Sequence, residues 1–331
     1  MKATLKTYSF LILLSTFALQ GFATENPLIE KKKTVSKTYP LSANDLVTLD
    51  NRFGELKIST WDKNEIKVEI TMTAKGNTEE RANDILERIS IDEGKKSNGV
   101  YFRTVLDSKN ERRNNNKTYK DEGFNINYVV VMPSRNRLDA SNEFGATIIS
   151  DFTGEVEIES KFGSLTTGKL VNTKQITVEF GSADIASISN GELEIKFSRA
   201  IIGNMDGNVK ARFEHCSGIQ LNIDNKLKGL VIRNDFTNLQ LNVNKGLSAK
   251  YNISTNFGDF TNKTDFDISN AKNDDDDDGP RFKKQYTGKS GSGTVDLKIT
   301  AEFSNITVGH ELKMDLKKDE KKKNGKGAVN I

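Results

Sequence analysis

The stretch Ile176-Thr177-Val178-Glu179-Phe180-Gly181-Ser182-Ala183-Asp184-Ile185 contains one full unit of a motif that returns along the whole chain. An apolar residue is followed four places on by a phenylalanine, most often with a glycine after it, and then by apolar residues three and five places beyond. The phenylalanines are Phe53, Phe144, Phe162, Phe180, Phe197, Phe213, Phe236, Phe257 and Phe303, and the residues four before them are Leu49, Ala140, Ile158, Ile176, Leu193, Val209, Ile232, Ile253 and Ile299. A unit of about 16 to 23 residues cannot bury its own apolar face and must lean on its neighbours. The expected fold class is all-β, a parallel β-solenoid resembling a single-stranded β-helix, with about nine coils.

Parity within the unit places a corner. Even steps before the Phe keep side chains on one face of a strand, whereas the odd step after it moves the next apolar residue to the other face. The chain therefore turns just after the Phe, where Gly54, Gly145, Gly163, Gly181 and Gly258 tolerate backbone angles closed to other residues. On this reading the Phe side chains form an aromatic stack inside the coils, and Phe213, followed by Glu214, His215 and Cys216, marks a local bulge. Strict alternation in Val156-Glu157-Ile158-Glu159 and Val295-Asp296-Leu297-Lys298-Ile299 favours strands over helices of the same period. The prolines stand at 27, 40, 133 and 280, leaving residues 138–279 free of ladder breakers.

Between Trp61 and Pro133 the pattern stops. Residues 66–73 alternate as a strand. Asn77 is placed to cap a helix with Glu80 at the capping-box position, and Ala82, Ile85, Leu86 and Ile89 share one helical face. Strands follow over 99–106 and 124–132, separated by a polar loop. Residues 62–135 thus read as a small α+β insertion that caps the N-terminal end and covers otherwise open strand edges.

Lys2 and Lys6, an apolar stretch over 8–18, and the small residues Gly21 and Ala23 read as a signal peptide, 1–23, cleaved after Ala23. A linker is expected over 24–38, the solenoid domain over 39–312, an acidic flexible loop over 271–290 and a lysine-rich disordered tail over 313–331. The aspartates from Asp274 to Asp278 are consecutive, and five neighbouring side chains cannot all converge on one cation. No later segment is long and apolar enough to be a transmembrane segment. The single cysteine, Cys216, excludes an internal disulfide and is expected to be buried. Forty-nine basic against 46 acidic residues leave a net charge of +3, too balanced for a nucleic-acid partner.

The exported start, Asn51-Arg52-Phe53-Gly54, the strand and helix of 68–89, and Tyr128-Val129-Val130-Val131-Met132-Pro133 leading into Asn142-Glu143-Phe144-Gly145 resemble a family of bacterial adhesin-like proteins of unknown function. That family is related to the head GIN domain of adhesin-like autotransporters and is common in Bacteroidota. The resemblance covers residues 39–312. It implies a secreted or periplasmic β-solenoid and brings no catalytic residues with it.

Catalysis on such a fold needs clustered carboxylates, or a carboxylate with a basic partner, on neighbouring coils. Glu155, Glu157, Glu179, Asp184, Glu192, Glu194, Lys196 and Arg199 read instead as scattered solvent-facing residues. His215 and His310 are the only histidines and fit no metal spacing. No nucleotide fingerprint is present. The expectation is a non-enzymatic cell-envelope binding protein with no catalytic, cofactor or metal site, offering an extended face to a glycan or surface protein. The alternatives are a periplasmic structural or stress component that binds another envelope protein, or a polysaccharide-active β-helix enzyme. The expected location is the periplasm, the outer surface or the medium. Oligomeric state is left open.

Overall fold

The structure is a computed structural model that describes residues 28–107, 122–271 and 282–313. The proposed signal peptide, the aspartate run and all but the first residue of the proposed tail lie outside the described residues. Among the described residues the protein is all-β, a large mixed sheet with one short helix.

Its centre is built from β8 (Arg137–Glu143), β9 (Ala146–Ile149), β10 (Phe152–Lys161), β11 (Ser164–Glu179), β12 (Ser182–Lys196), β13 (Arg199–Glu214) and β14 (Gly218–Asp235). Neighbours pair in parallel and equivalent motif positions fall side by side, as in Ile176 against Leu193 and Ala183 against Ala200. Each aromatic motif residue separates a strand that ends one residue before it from one that starts just after it. The long strands β11 to β14 serve both roles, with register shifts in their middles.

The core follows the alternation. Residues four and two before the aromatic position, such as Ile176 and Val178, and three and five after it, such as Ala183 and Ile185, are buried in one continuous apolar cluster. Each large aliphatic side chain so buried contributes roughly 1.5–3 kcal/mol. Where the residue two before is an asparagine it secures the corner, whereas the buried Ser160 and Thr255 hydroxyls at the same position have no hydrogen-bond partner among the described residues. Asn142 donates from Nδ2 to the Gly54 and Ala146 carbonyls, and Asn234 donates to Thr237 O.

At the N-terminal end, β2 (Leu46–Arg52) and β3 (Leu56–Trp61) pair in parallel with β8 and β9. Beyond them stand β6 (Gly99–Leu106), parallel to β2, and β7 (Gly123–Pro133), parallel to β3. The end is closed by antiparallel strands: β1 (Ile29–Pro40) on β4 (Glu65–Gly76), β4 on β7, and β5 (Ile89–Lys96) on β6. The helix α1 (Glu79–Glu87) packs Ala82, Ile85 and Leu86 inward. Thr78, not Asn77, is its N-cap, accepting on Oγ1 from Arg81 N at 3.1 Å. Residues 29–38, expected as linker, lie within β1.

The C-terminal end departs from sequence order. β15 (Leu239–Val243) continues the stack, but β16 (Ala249–Asn256) and β17 (Phe260–Lys263) do not follow it directly. The last two strands, β20 (Val295–Glu302) and β21 (Ile306–Gly309), lie between. β20 pairs with β14 on one side and β16 on the other, and β21 pairs with β15 and β17. An antiparallel hairpin of β18 (Asp267–Asn270) and β19 (Lys283–Lys289) then covers β16. Part of the expected acidic loop, 283–289, is therefore ordered strand.

Candidate binding surface

The aromatic column runs outside the core, which corrects the expectation of an interior stack. Phe53, Phe144, Phe162, Phe180, Phe197, Phe236, Phe257 and Phe303 all have positive φ, between 49° and 60°. Strand parity holds only for extended backbone, and a left-handed residue at the corner swings its side chain out of the core. From Phe144 onward these phenylalanines are 44–50% exposed. That conformation costs a non-glycine residue roughly 1–2 kcal/mol, and ring stacking supplies the compensation.

Adjacent rings lie 4.7–5.2 Å apart and within 10° of parallel from Phe53 through Phe144, Phe162, Phe180, Phe197, His215, Phe236 and Phe303 to Phe257. This is the spacing of neighbouring strands, so the backbone ladder sets the ring ladder. Phe282 stacks on Phe257 at 4.6 Å, and Phe124 meets Phe53 edge-on at 5.2 Å.

His215, not Phe213, occupies the column, with φ 52°. Phe213 lies two residues earlier and is fully buried, so the apparent bulge is a misplaced register of two residues. The residue after the aromatic position is always small: Gly54, Gly145, Gly163, Gly181, Ser198, Cys216, Thr237, Gly258 or Ser304. A Cβ on Gly181 would stand 1.9 Å from Gly163 O. Where a side chain is present it turns inward to hydrogen-bond. Ser198 Oγ accepts from Gly181 N and donates to Lys196 O, and the buried Cys216 thiol donates to the Ile195 and Glu214 carbonyls. Burial pushes that thiol above its usual range, which makes it a poor nucleophile at neutral pH.

Before the corner, the outward residues form charged columns. Arg52, Glu143, Lys161, Glu179, Lys196, Glu214, Asp235 and Glu302 stand in register beside the rings. Lys161 lies 2.6 Å from Glu159 and 4.0 Å from Glu179, and Lys196 lies 2.7 Å from Glu194 and 4.0 Å from Glu214. Glu155 pairs with Arg137, Glu157 with Lys174 and Glu192 with Lys210. The charges that read as scattered are therefore largely paired across neighbouring strands, each exposed pair stabilising by only about 0.2–1 kcal/mol. Among the acids Asp139 is raised above its usual range, chiefly by burial and then by Glu157, with Lys174 opposing.

After the corner, the outward face is mostly uncharged. Ser164 faces Ser182, Thr166 faces Asp184, and Asn204, Asn222 and Asn242 stand in line on β13, β14 and β15. Asn222 Oδ1 accepts from Asn242 Nδ2 at 3.1 Å and Gln220 Nε2 at 3.3 Å. Asn204, Asn222 and Asn242 line an open cleft of about 400 Å³ together with Asp224, Lys245, His310 and Glu311. The imidazole closes one side: Nδ1 is 2.8 Å from Val243 O and Nε2 is 3.0 Å from Asp265 Oδ1. The hydrogen bond from His310 holds the Asp265 carboxyl below its usual range.

Among the described residues no group of three or more His, Cys, Asp or Glu side chains is placed to hold a metal ion. No helix among them is long and apolar enough to cross a membrane. His215 and His310 do not meet. Neither the amide column nor the outward aromatic column was foreseen from sequence, although the recurring Asn at 204, 222 and 242, one on each of three successive units, carried a signal for the first.

No protein-family model matches the chain, and no curated protein matches it. Solved structures similar to it include a candidate cell adhesion protein from Clostridium sporogenes, at 11% identity and a TM-score of 0.28, covering 85% of this chain and 100% of that one. A candidate adhesin from Bacteroides fragilis matches at 10% identity and a TM-score of 0.43, covering 84% and 98%. Another from Parabacteroides distasonis matches at 9% identity and a TM-score of 0.28, covering 83% and 97%.

Proposed function

We propose that the chain is an exported, non-enzymatic, adhesin-like β-solenoid whose amide-lined polar face binds a glycan at the cell surface. The observation that carries this reading is the in-register amide column of Asn204, Asn222 and Asn242 beside an open cleft. A planar amide offers a donor and an acceptor together, which suits a pair of neighbouring hydroxyls on a sugar ring. Rows of such groups at the strand spacing of about 4.8 Å give many shallow contacts along an extended polymer, and none need be strong alone. The cleft is open and polar, unlike the mostly apolar pockets that enclose small cofactors.

Location separates this reading from that of a periplasmic component binding another envelope protein. Protease added to intact cells should release peptides from residues 144–257 if the protein is displayed outside. Protection until the outer membrane is opened would exclude surface display and favour the periplasmic role.

A further inference from the structure

Of the charged residues that read as scattered in the sequence, pairing across strands leaves over Asp184 and Arg199, which enter no ion pair among the described residues. Both lie on the face after the corner. Arg199 stands opposite Ser182 and Asp184 opposite Ile201, so the two charges sit diagonally across β12 and β13. On β11, Ser164 stands opposite Ser182 and Thr166 opposite Asp184.

Two outward columns, Ser164 with Ser182 and Arg199, and Thr166 with Asp184 and Ile201, thus bound an open groove of about 100 Å³ that runs across the three strands. Between the columns the lining residues are Leu165, Ala183 and Ala200, which are buried in the core. The Ser164, Ser182 and Thr166 hydroxyls make no hydrogen bond to the protein among the described residues. A guanidinium, a carboxylate and three hydroxyls, all without protein partners, therefore line one groove. It is distinct from the amide cleft: Arg199 and Asn204 are five residues apart along β13, roughly 16 Å at the rise of a strand.

The chemistry selects the occupant. A guanidinium fork matches a carboxylate with two parallel hydrogen bonds. A phosphate group, with a charge of about −1.5 to −2, would meet the like charge of Asp184. A sugar carboxylate brings a single charge, and hydroxyls of the same ring can donate to Asp184. The Asp184 column continues through Ile201 to Gln220 and Gln240 on β14 and β15, so the groove opens onto further polar groups instead of closing around one small molecule.

We infer that this groove binds a uronate-bearing polysaccharide, with a sugar carboxylate on Arg199 and a sugar hydroxyl donating to Asp184. The inference rests on the glycan-binding reading of this face and adds a second site with its own class of sugar.

The test is binding of the purified full chain to polygalacturonate and to alginate at about 0.15 M salt, where a Debye length of about 8 Å screens diffuse attraction to a polyanion. The esterified form of each polymer is the uncharged control. The wild type should bind at least one uronan, and at least tenfold more weakly once that polymer is esterified. Arg199→Ala should lose at least tenfold with its melting temperature nearly unchanged, and Arg199→Lys, which keeps the charge but not the fork, should recover only part of the loss. Asp184→Ala separates a built site from mere charge. Removing a negative charge would tighten a non-specific contact with a polyanion, whereas here binding should weaken at least threefold because the sugar hydroxyls lose their acceptor. Equal binding of the esterified polymers, undiminished uronan binding by Arg199→Ala, or tighter binding by Asp184→Ala overturns the inference. So does a wild type that retains only neutral polysaccharides, which would leave the proposed function standing; a chain that retains no polysaccharide would overturn both.

Discussion

At the scale of single residues, the corner phenylalanine bears a conformational cost and a stacking gain that nearly offset each other. Phe180 is 47% exposed and stacked on both sides, so Phe180→Ala should cost only about 1–2 kcal/mol, well below the roughly 3–5 kcal/mol of a buried phenylalanine. Phe180→Gly loses the same ring but relieves the positive φ, and should therefore unfold at a higher temperature than the alanine variant. Thermal melts of the pair check this; a glycine variant no more stable than alanine would contradict the left-handed corner. Asp139 gives a pH signature. Its folded carboxyl binds a proton more tightly than the unfolded one, so ionised Asp139 destabilises the fold at neutral pH, and the penalty fades as pH falls from above the usual carboxylate range into it. Asp139→Asn should raise the melting temperature at pH 7 by roughly 1–3 °C and have little effect near pH 3, as a melting series across that range would show. The residues around Phe180 announced their corner through Gly181 and the parity change, but not the direction of the ring. Parity assumes an extended backbone, and nothing in a phenylalanine signals positive φ when Asn or Gly is the usual occupant.

At the scale of elements, strands were largely legible because burial on one face imposes alternation. Residues 99–106 coincide with β6, and the expected strand at 66–73 lies within β4. What alternation could not convey was partner order. β16 and β17 follow β15 in the chain, yet β20 and β21 occupy the neighbouring places, because pairing depends on which edges meet and not on sequence proximity. Removing residues 295–331 would leave β14, β15, β16 and β17 each with an unpaired edge. Hydrogen exchange should then lose protection across 249–263 and 283–289 while 152–214 stays protected. Unchanged protection of β16 in the truncated chain would contradict the interleaved arrangement. Phe213 shows the same limit at shorter range. It matched the aromatic pattern, but His215 holds the corner, and a two-residue shift preserves strand parity and so leaves no mark in the alternation.

At the scale of the whole molecule, corners that recur in register present three different outward surfaces: paired charges before the corner, ring edges at it, and amides and hydroxyls after it. The polar composition of the last was visible in the sequence, but the lining up of Asn204, Asn222 and Asn242 depends on register, which spacing alone left open because β13 and β14 pair with internal shifts. The proposed function assigns ligand binding to the amide face. Binding of the purified chain to an array of cell-surface polysaccharides, run beside the Asn222→Ala, Asn242→Ala double variant, tests the binding claim most directly. The account predicts retention of one or more polysaccharides by the wild type and at least a tenfold loss in the double variant, with melting temperature nearly unchanged. No retained polysaccharide, or equal retention by both proteins, would contradict it.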